Sequence, residues 1–138
     1  MIKLITGEKG TGKTKVLIDM IKESLATASG DIVCIEKGLK LTYDIPHKVR
    51  LVAAEEYDIN SYDSFYGFVA GMLAGNYDIQ EIFVDGILKI GGRDYNELAS
   101  FLEQIYELSS VNEKDFVFTI SADKEELPES IFNYCKVI

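Results

Sequence analysis

Residues 7–14 read Gly-Glu-Lys-Gly-Thr-Gly-Lys-Thr and match the phosphate-binding pattern GxxxxGK[ST] at every fixed position. The three glycines permit backbone conformations in which successive N–H groups turn toward a phosphate. Lys13 is expected to bring its ammonium group to the β- and γ-phosphates, and Thr14 its hydroxyl to Mg²⁺. The spacing therefore predicts a nucleoside triphosphate site. Its predicted binding residues are Gly7, Glu8, Lys9, Gly10, Thr11, Gly12, Lys13 and Thr14.

The loop has the strand and the helix that this motif requires on its two sides. Residues 2–6 form an apolar run directly before it. After it, residues 13–27 are predicted to be helical, because apolar side chains recur on one helical face at Leu17, Met20, Ile21 and Leu25. The positive end of this helix would face the bound phosphates. The context favours a phosphate site over a chance glycine turn.

Asp85 is the best candidate for the carboxylate that holds the water shell of the metal. It follows the apolar run 82–84, and a phosphate loop works with a carboxylate at the end of a neighbouring strand. Glu36 and the pair Glu55 and Glu56 also follow apolar runs, but as Glu they rank lower. A turn at Asp85-Gly86 is the competing interpretation. The predicted metal ligands are Thr14 and Asp85.

The composition predicts one ordinary globular domain over residues 1–138, with 47% hydrophobic and 27% charged residues. The net charge of −9 and the lack of a lysine-rich stripe outside the loop argue against a nucleic-acid partner. Cys34 and Cys135 lie in apolar strands without a CxxC pair, so they are expected to be buried, reduced thiols.

We expect a cytoplasmic protein without a membrane span. The chain enters the phosphate loop within its first residues and leaves no room for a signal peptide. The longest apolar stretch, residues 65–75, is too short to cross a bilayer.

Strands and helices are predicted to alternate along the whole chain, which favours an α/β fold with a mainly parallel sheet between helices. Residues 38–54 are the exception: an extra antiparallel hairpin is favoured there, with an irregular segment or membership of the main sheet as the alternatives. The predicted strands are 2–6, 31–36, 80–85, 115–120 and 133–138. The predicted helices are 13–27, 61–75, 94–109 and 124–131.

With the loop and Asp85, the sequence resembles the P-loop NTPases, and within them the additional-strand group that includes the RecA-like and AAA+ ATPases. The resemblance implies a three-layer α/β/α core whose five strands, numbered along the chain, lie in the order 5-1-4-3-2. It also implies that the polar end of strand 115–120, at Thr119 and Ser121, can contact the γ-phosphate or its attacking water. ATP and Mg²⁺ are the implied ligands. The predicted catalytic residues are Lys13, Asp85 and Ser121.

The chain is also similar to small bacterial proteins labelled as twitching-motility-type ATPases. This similarity lies in residues 62–68, Tyr-Asp-Ser-Phe-Tyr-Gly-Phe, and in residues 82–90, Ile-Phe-Val-Asp-Gly-Ile-Leu-Lys-Ile. It implies the same nucleotide-binding core.

The sequence departs from the active members of the additional-strand group at Gly86, where they carry a glutamate that deprotonates the attacking water. Loss of such a base slows a reaction by about 10²–10⁴-fold, so slow hydrolysis is expected unless Glu55, Glu56 or Asp123 replaces it. Arg93 is the candidate for a transition-state arginine, with a salt bridge to Asp94 or Glu97 as the structural alternative.

Three functions therefore stay open: a slow Mg-ATP-dependent ATPase, a nucleotide-dependent interaction module that does not turn over, and a small-molecule kinase. Whether the chain is an enzyme is left open by the sequence, as are its protein partner and its oligomeric state. Adenine is favoured as the base, because Asn112-Glu-Lys-Asp115 is only a near miss to the guanine-specific NKxD.

Overall fold

The computed structural model, which describes residues 1–138, contains six β-strands and four α-helices. The strands are β1 (Ile2–Thr6), β2 (Asp31–Glu36), β3 (Arg50–Ala53), β4 (Ile79–Asp85), β5 (Asp115–Ile120) and β6 (Cys135–Val137). The helices are α1 (Lys13–Thr27), α2 (Tyr62–Gly75), α3 (Ile87–Gly91) and α4 (Tyr95–Asn112).

The strands form one sheet in the order β3-β2-β4-β5-β1-β6, and every neighbouring pair is parallel. Parallel sheets are normally covered on both faces, so their strands are apolar throughout. β2 and β5 follow this rule, since five of the six residues in each are buried. The predicted α/β class with a parallel sheet is confirmed.

The predicted five-stranded sheet is wrong in its strand count and therefore in its complete order. β3 adds a sixth strand at the edge, beside β2. Among the other five strands, β5 lies between β1 and β4. This arrangement matters for the site, because it brings the ends of these three strands to one place.

The predicted hairpin over 38–54 is also wrong. Residues 50–53 pair in parallel with β2, while residues 37–49 form turns instead of a strand. The Glu36 carboxylate accepts hydrogen bonds from the Lys40 and Leu41 amides at 3.1 and 2.8 Å, which bends the chain directly after β2. Leu41, Ile45 and Val49 are then buried together with α1, so burial rather than strand pairing orders the segment.

Two apolar clusters show that helices cover both faces of the sheet. On one face, Leu17 and Ile21 of α1 pack with Ile32, Phe83 and other sheet residues. On the opposite face, α2, α3 and α4 pack over the larger cluster. A three-layer α/β/α arrangement is compatible with this packing. None of the helices has both the length and the apolar character that crossing a membrane requires.

Other element predictions differ from the structure only locally. α3 is absent from the predicted elements because it has only five residues. Helical periodicity becomes visible in a sequence only over about 11 residues or more. The predicted helix 124–131 consists of two short 3₁₀ turns separated by Pro128, which has no N–H to continue a helix. Cys34 and Cys135 are both buried and unpaired, as predicted.

Candidate functional site

The phosphate-loop motif, Asp85 and residues 119–121 meet at one edge of the sheet. Because the strands are parallel, the chain leaves β1, β4 and β5 at the same edge, which is where ligands bind in open α/β sheets. An open cleft of about 680 Å³ lies there. It is lined by residues of the loop, of the end of β4, of α3 and of the segment after β5: Glu8, Lys9, Gly10, Gly12, Lys13, Thr14, Asp85, Gly86, Leu88, Lys89, Arg93, Thr119, Ser121, Ala122 and Glu126.

The loop owes its shape to its glycines and to bonds within itself. Gly7, Gly10 and Gly12 all have positive φ angles, of 146°, 83° and 86°. A Cβ atom at Gly7 would lie 2.8 Å from the Thr11 hydroxyl, which itself donates to the Glu8 carbonyl at 2.7 Å. Gly7 and Thr11 therefore shape the loop without lining the cleft, whereas the other six residues of the motif line it.

The backbone amides of residues 8–14 make no hydrogen bond to any acceptor in the chain. The amide of Gly7, by contrast, is used structurally and donates to the Ala122 carbonyl at 3.0 Å. Backbone N–H groups are strong donors that are normally paired unless water or a ligand satisfies them. This run of free donors lines a cleft and leads into the N-terminus of α1. Such an arrangement is suited to binding an anion.

Lys13 is 9% exposed and donates from Nζ to the Glu8 carbonyl at 2.8 Å. Burial lowers the pKa of Lys13, the charge of Asp85 opposes this effect, and the charge of Lys89 lowers the pKa further. The ammonium group is thus bound to a neutral carbonyl inside a partly desolvated cleft. An anionic ligand in the cleft would be a stronger partner.

Asp85 is held by two hydroxyl groups from distant parts of the chain. Thr14 Oγ1 lies 3.2 and 3.3 Å from the two carboxylate oxygens of Asp85. Thr119 Oγ1 donates to Asp85 Oδ1 at 2.8 Å and accepts the Gly86 N–H at 2.7 Å. The hydroxyl of Thr119 is therefore engaged in orienting Asp85. Ser121 lines the cleft with a hydroxyl that has no partner within the chain.

Thr14 and Asp85 offer oxygen atoms, which are the ligands that hard cations such as Mg²⁺ prefer. Mg²⁺ prefers oxygen ligands, keeps several waters and is typically held by one or two protein groups together with phosphates. No group of three or more His, Cys, Asp or Glu side chains is arranged to hold a metal by itself. The donor set thus suits a cation that arrives with a phosphate ligand.

The lower-ranked carboxylates lie elsewhere. Glu36 is 5% exposed, and its oxygens accept the amides of the segment after β2. Burial raises the pKa of Glu36 against the lowering effect of these two bonds. Glu55, Glu56 and Asp123 are absent from the lining of the loop cleft. None of these three candidate substitutes for a general base therefore lines the cleft.

Arg93 lies in the cleft wall, but not in the expected salt bridge. Its guanidinium donates to the Ser121 carbonyl at 3.0 Å and to the Tyr95 hydroxyl at 3.3 Å, and it pairs with neither Asp94 nor Glu97. The preceding loop is fixed by Tyr62, whose hydroxyl donates to the Gly92 carbonyl at 2.7 Å.

Two charged residues of the cleft, Lys89 and Glu126, are not predicted as site residues by the sequence. Lys89 follows Asp85 by four residues, so its closeness in sequence to this candidate metal ligand was a usable signal. Glu126 comes from a 3₁₀ turn after β5 and accepts a hydrogen bond from Tyr95 at 3.3 Å. No local sequence pattern marks it.

Comparison of the chain with protein-family models finds no match, and comparison with curated proteins finds none either. The function is therefore inferred from the residues and geometry of the site itself.

Proposed function

We propose that the chain is a P-loop protein of the additional-strand group that binds ATP with Mg²⁺ and hydrolyses it slowly. The observation that carries the proposal is the contact between Thr14 and Asp85, which lie 71 residues apart in the chain. A chance glycine turn would not bring its final threonine to a strand-end carboxylate. Here the two meet beside a run of unpaired loop amides.

Each part of the site has a role in this proposal. The amides of residues 8–14 bind the phosphates, and Lys13 exchanges the Glu8 carbonyl for phosphate oxygens. Thr14 and Asp85 are the residues that would hold Mg²⁺. When bound, the ion neutralises charge on the phosphate chain. Thr119 orients Asp85, and Ser121 presents a free hydroxyl to the terminal phosphate or to the attacking water.

Slow turnover follows from the lack of a dedicated base. Asp85 is bonded to two hydroxyl groups and, in this proposal, serves the metal. The other carboxylates that line the cleft are Glu8 and Glu126, both exposed. A general base must be held within hydrogen-bond reach of the proton that it removes, and exposed side chains are less constrained than buried ones. Hydrolysis is therefore expected to depend on positioning and charge more than on proton removal.

Calorimetry tests the binding step directly. Mg-ATP and Mg-GTP are titrated into the unsubstituted chain and into Lys13→Ala, with Lys22→Ala as the control, because Lys22 is exposed on α1 outside the loop. ATP binding that is lost in Lys13→Ala and kept in Lys22→Ala is expected. Absence of heat with either nucleotide contradicts the proposal.

The second candidate is a nucleotide-dependent interaction module that does not turn over. It is favoured by the position of Glu55, Glu56 and Asp123 outside the cleft lining. A single-turnover assay with Mg-ATP separates the two functions. Lys13-dependent release of phosphate supports the ATPase, whereas binding without release supports the module.

A further inference from the structure

Lys89 brings an ammonium group to the cleft from outside the phosphate-loop motif, which itself supplies Lys9 and Lys13. It lies on the short helix α3, in which Ile87, Leu88 and Ile90 are buried to 0%, 5% and 4% exposure. Lys89 is the exposed residue among these apolar ones. The helix is therefore anchored by its apolar side chains, and Lys89 extends from a fixed backbone.

The side chain of Lys89 runs along Gly86 and not straight into solvent. A Cβ atom at Gly86 would lie 3.4 Å from Lys89 Cδ and 3.9 Å from Lys89 Cε. The stem thus passes beside the residue that follows Asp85. Its course agrees with the presence of Lys89 in the cleft lining and with the influence of its charge on Lys13.

The charge of Lys89 has no partner within the chain. The two salt bridges of the structure are Met1 with Asp115 and Lys15 with Asp19, and the Lys89 ammonium group makes no hydrogen bond. Lys89 also borders a second cleft that contains Glu55, yet the two form no ion pair. Lys89 and Lys13 line the same cleft, and two like charges in one cleft are favourable when an anion binds near both.

We propose that Lys89 binds the terminal phosphate of the nucleotide and makes the site select a triphosphate over a diphosphate. This inference rests on the proposed nucleotide function. The loop amides and Lys13 hold the phosphates from the β1 side. The terminal phosphate, which extends furthest from the loop, then lies next to the cleft wall after β4. Asp85, Gly86 and Lys89 form this wall.

Calorimetry with Lys89→Met tests this role, using Mg-ATP, Mg-ADP, tripolyphosphate and pyrophosphate as probes. Methionine keeps the length of the stem and removes the charge. A charge-assisted hydrogen bond corresponds to about a tenfold change in affinity or more. We expect a loss of that size for ATP and tripolyphosphate, and less than about threefold for ADP and pyrophosphate. Lys89→Arg should keep most of the preference.

Lys22→Met provides the matched control, since it changes the net charge equally at an exposed position of α1. Thermal melting without ligand should differ little among the variants, because Lys89 is exposed. Equal losses for tri- and diphosphates, or no loss in Lys89→Met, overturn the inference while leaving nucleotide binding in place. If the unsubstituted chain binds none of the four probes, the proposed function itself fails, and this inference fails with it.

Discussion

Thr119 of β5 donates a 2.8 Å hydrogen bond to the Asp85 carboxylate at the end of the neighbouring strand β4. The same hydroxyl accepts a hydrogen bond from the N–H of Gly86. Gly86 occupies the position of the glutamate found in active members of the additional-strand group, which the sequence resembles. Thr119 is 2% exposed, whereas Asp85 and Gly86 are partly buried at the cleft. This one side chain fixes the carboxylate and the turn that follows it.

Thr119→Val is expected to weaken both the fold and the site. Valine has nearly the same shape, but it leaves the Gly86 amide without its acceptor and Asp85 without one donor. A buried polar group that loses its partner costs about 1–3 kcal/mol. Urea unfolding should show a loss of this size, and calorimetry should show weaker binding of Mg-ATP. Thr119→Ser keeps the hydroxyl and should retain most of both; an equally damaged serine variant would contradict the role.

Glu36 should make part of the folding stability depend on pH. Burial raises its pKa above the ordinary value of 4.5, so the folded state binds this proton more tightly than the unfolded state. Its contribution to stability is therefore greatest below the ordinary pKa and decreases as the pH rises from that value to the raised one. Beyond the raised pKa it no longer changes.

The measurement for Glu36 is the free energy of unfolding against pH, in the unsubstituted chain and in Glu36→Gln. As the pH rises through this window, the unsubstituted chain should lose stability relative to Glu36→Gln. Glu55→Gln, at an exposed position, serves as the control. A constant difference between Glu36→Gln and the unsubstituted chain would show that Glu36 titrates alike in both states.

Gly91→Ala is expected to destabilise the protein strongly. A Cβ atom at Gly91 would overlap the ring of Tyr62, whose residue is only 6% exposed and cannot move freely. Overpacking of this kind costs about 1–3 kcal/mol. The matched control is Gly71→Ala on α2, where nothing lies within 4 Å of the added atom. That variant should gain about 0.5–1 kcal/mol, because alanine favours helix more than glycine does. Thermal or urea unfolding of both variants tests the contrast.

The two cysteines are expected to be inert in the folded protein. Burial is the largest cause that raises the pKa of Cys34 to about 12, and it raises that of Cys135 to about 12 as well. The reactive thiolate is thus scarce at neutral pH, and access is closed. A thiol-specific chromogenic reagent should react slowly with the native chain and rapidly with two thiols in denaturant. Fast reaction of the native protein would show local opening of β2 or β6.

The proposed site could be located from sequence because its parts are local patterns. The glycine spacing and Lys13-Thr14 lie within one octapeptide, and Asp85 follows an uninterrupted apolar run. The class of fold followed in the same way, since alternating strands and helices of this length pack as a parallel sheet. Each of these features depends on neighbours along the chain.

Only the tertiary structure decided which distant groups share the cleft. Residues 50–53 could have paired in a hairpin, but they pair in parallel with β2. The turn that Glu36 holds starts the return of the chain, so that β3 can run alongside β2 in the same direction. Thr119 bonds Asp85 because β5 is placed beside β4, and Lys89 enters the cleft because α3 is anchored by its apolar residues. Such contacts depend on packing between segments far apart in sequence, and no local pattern contains that information.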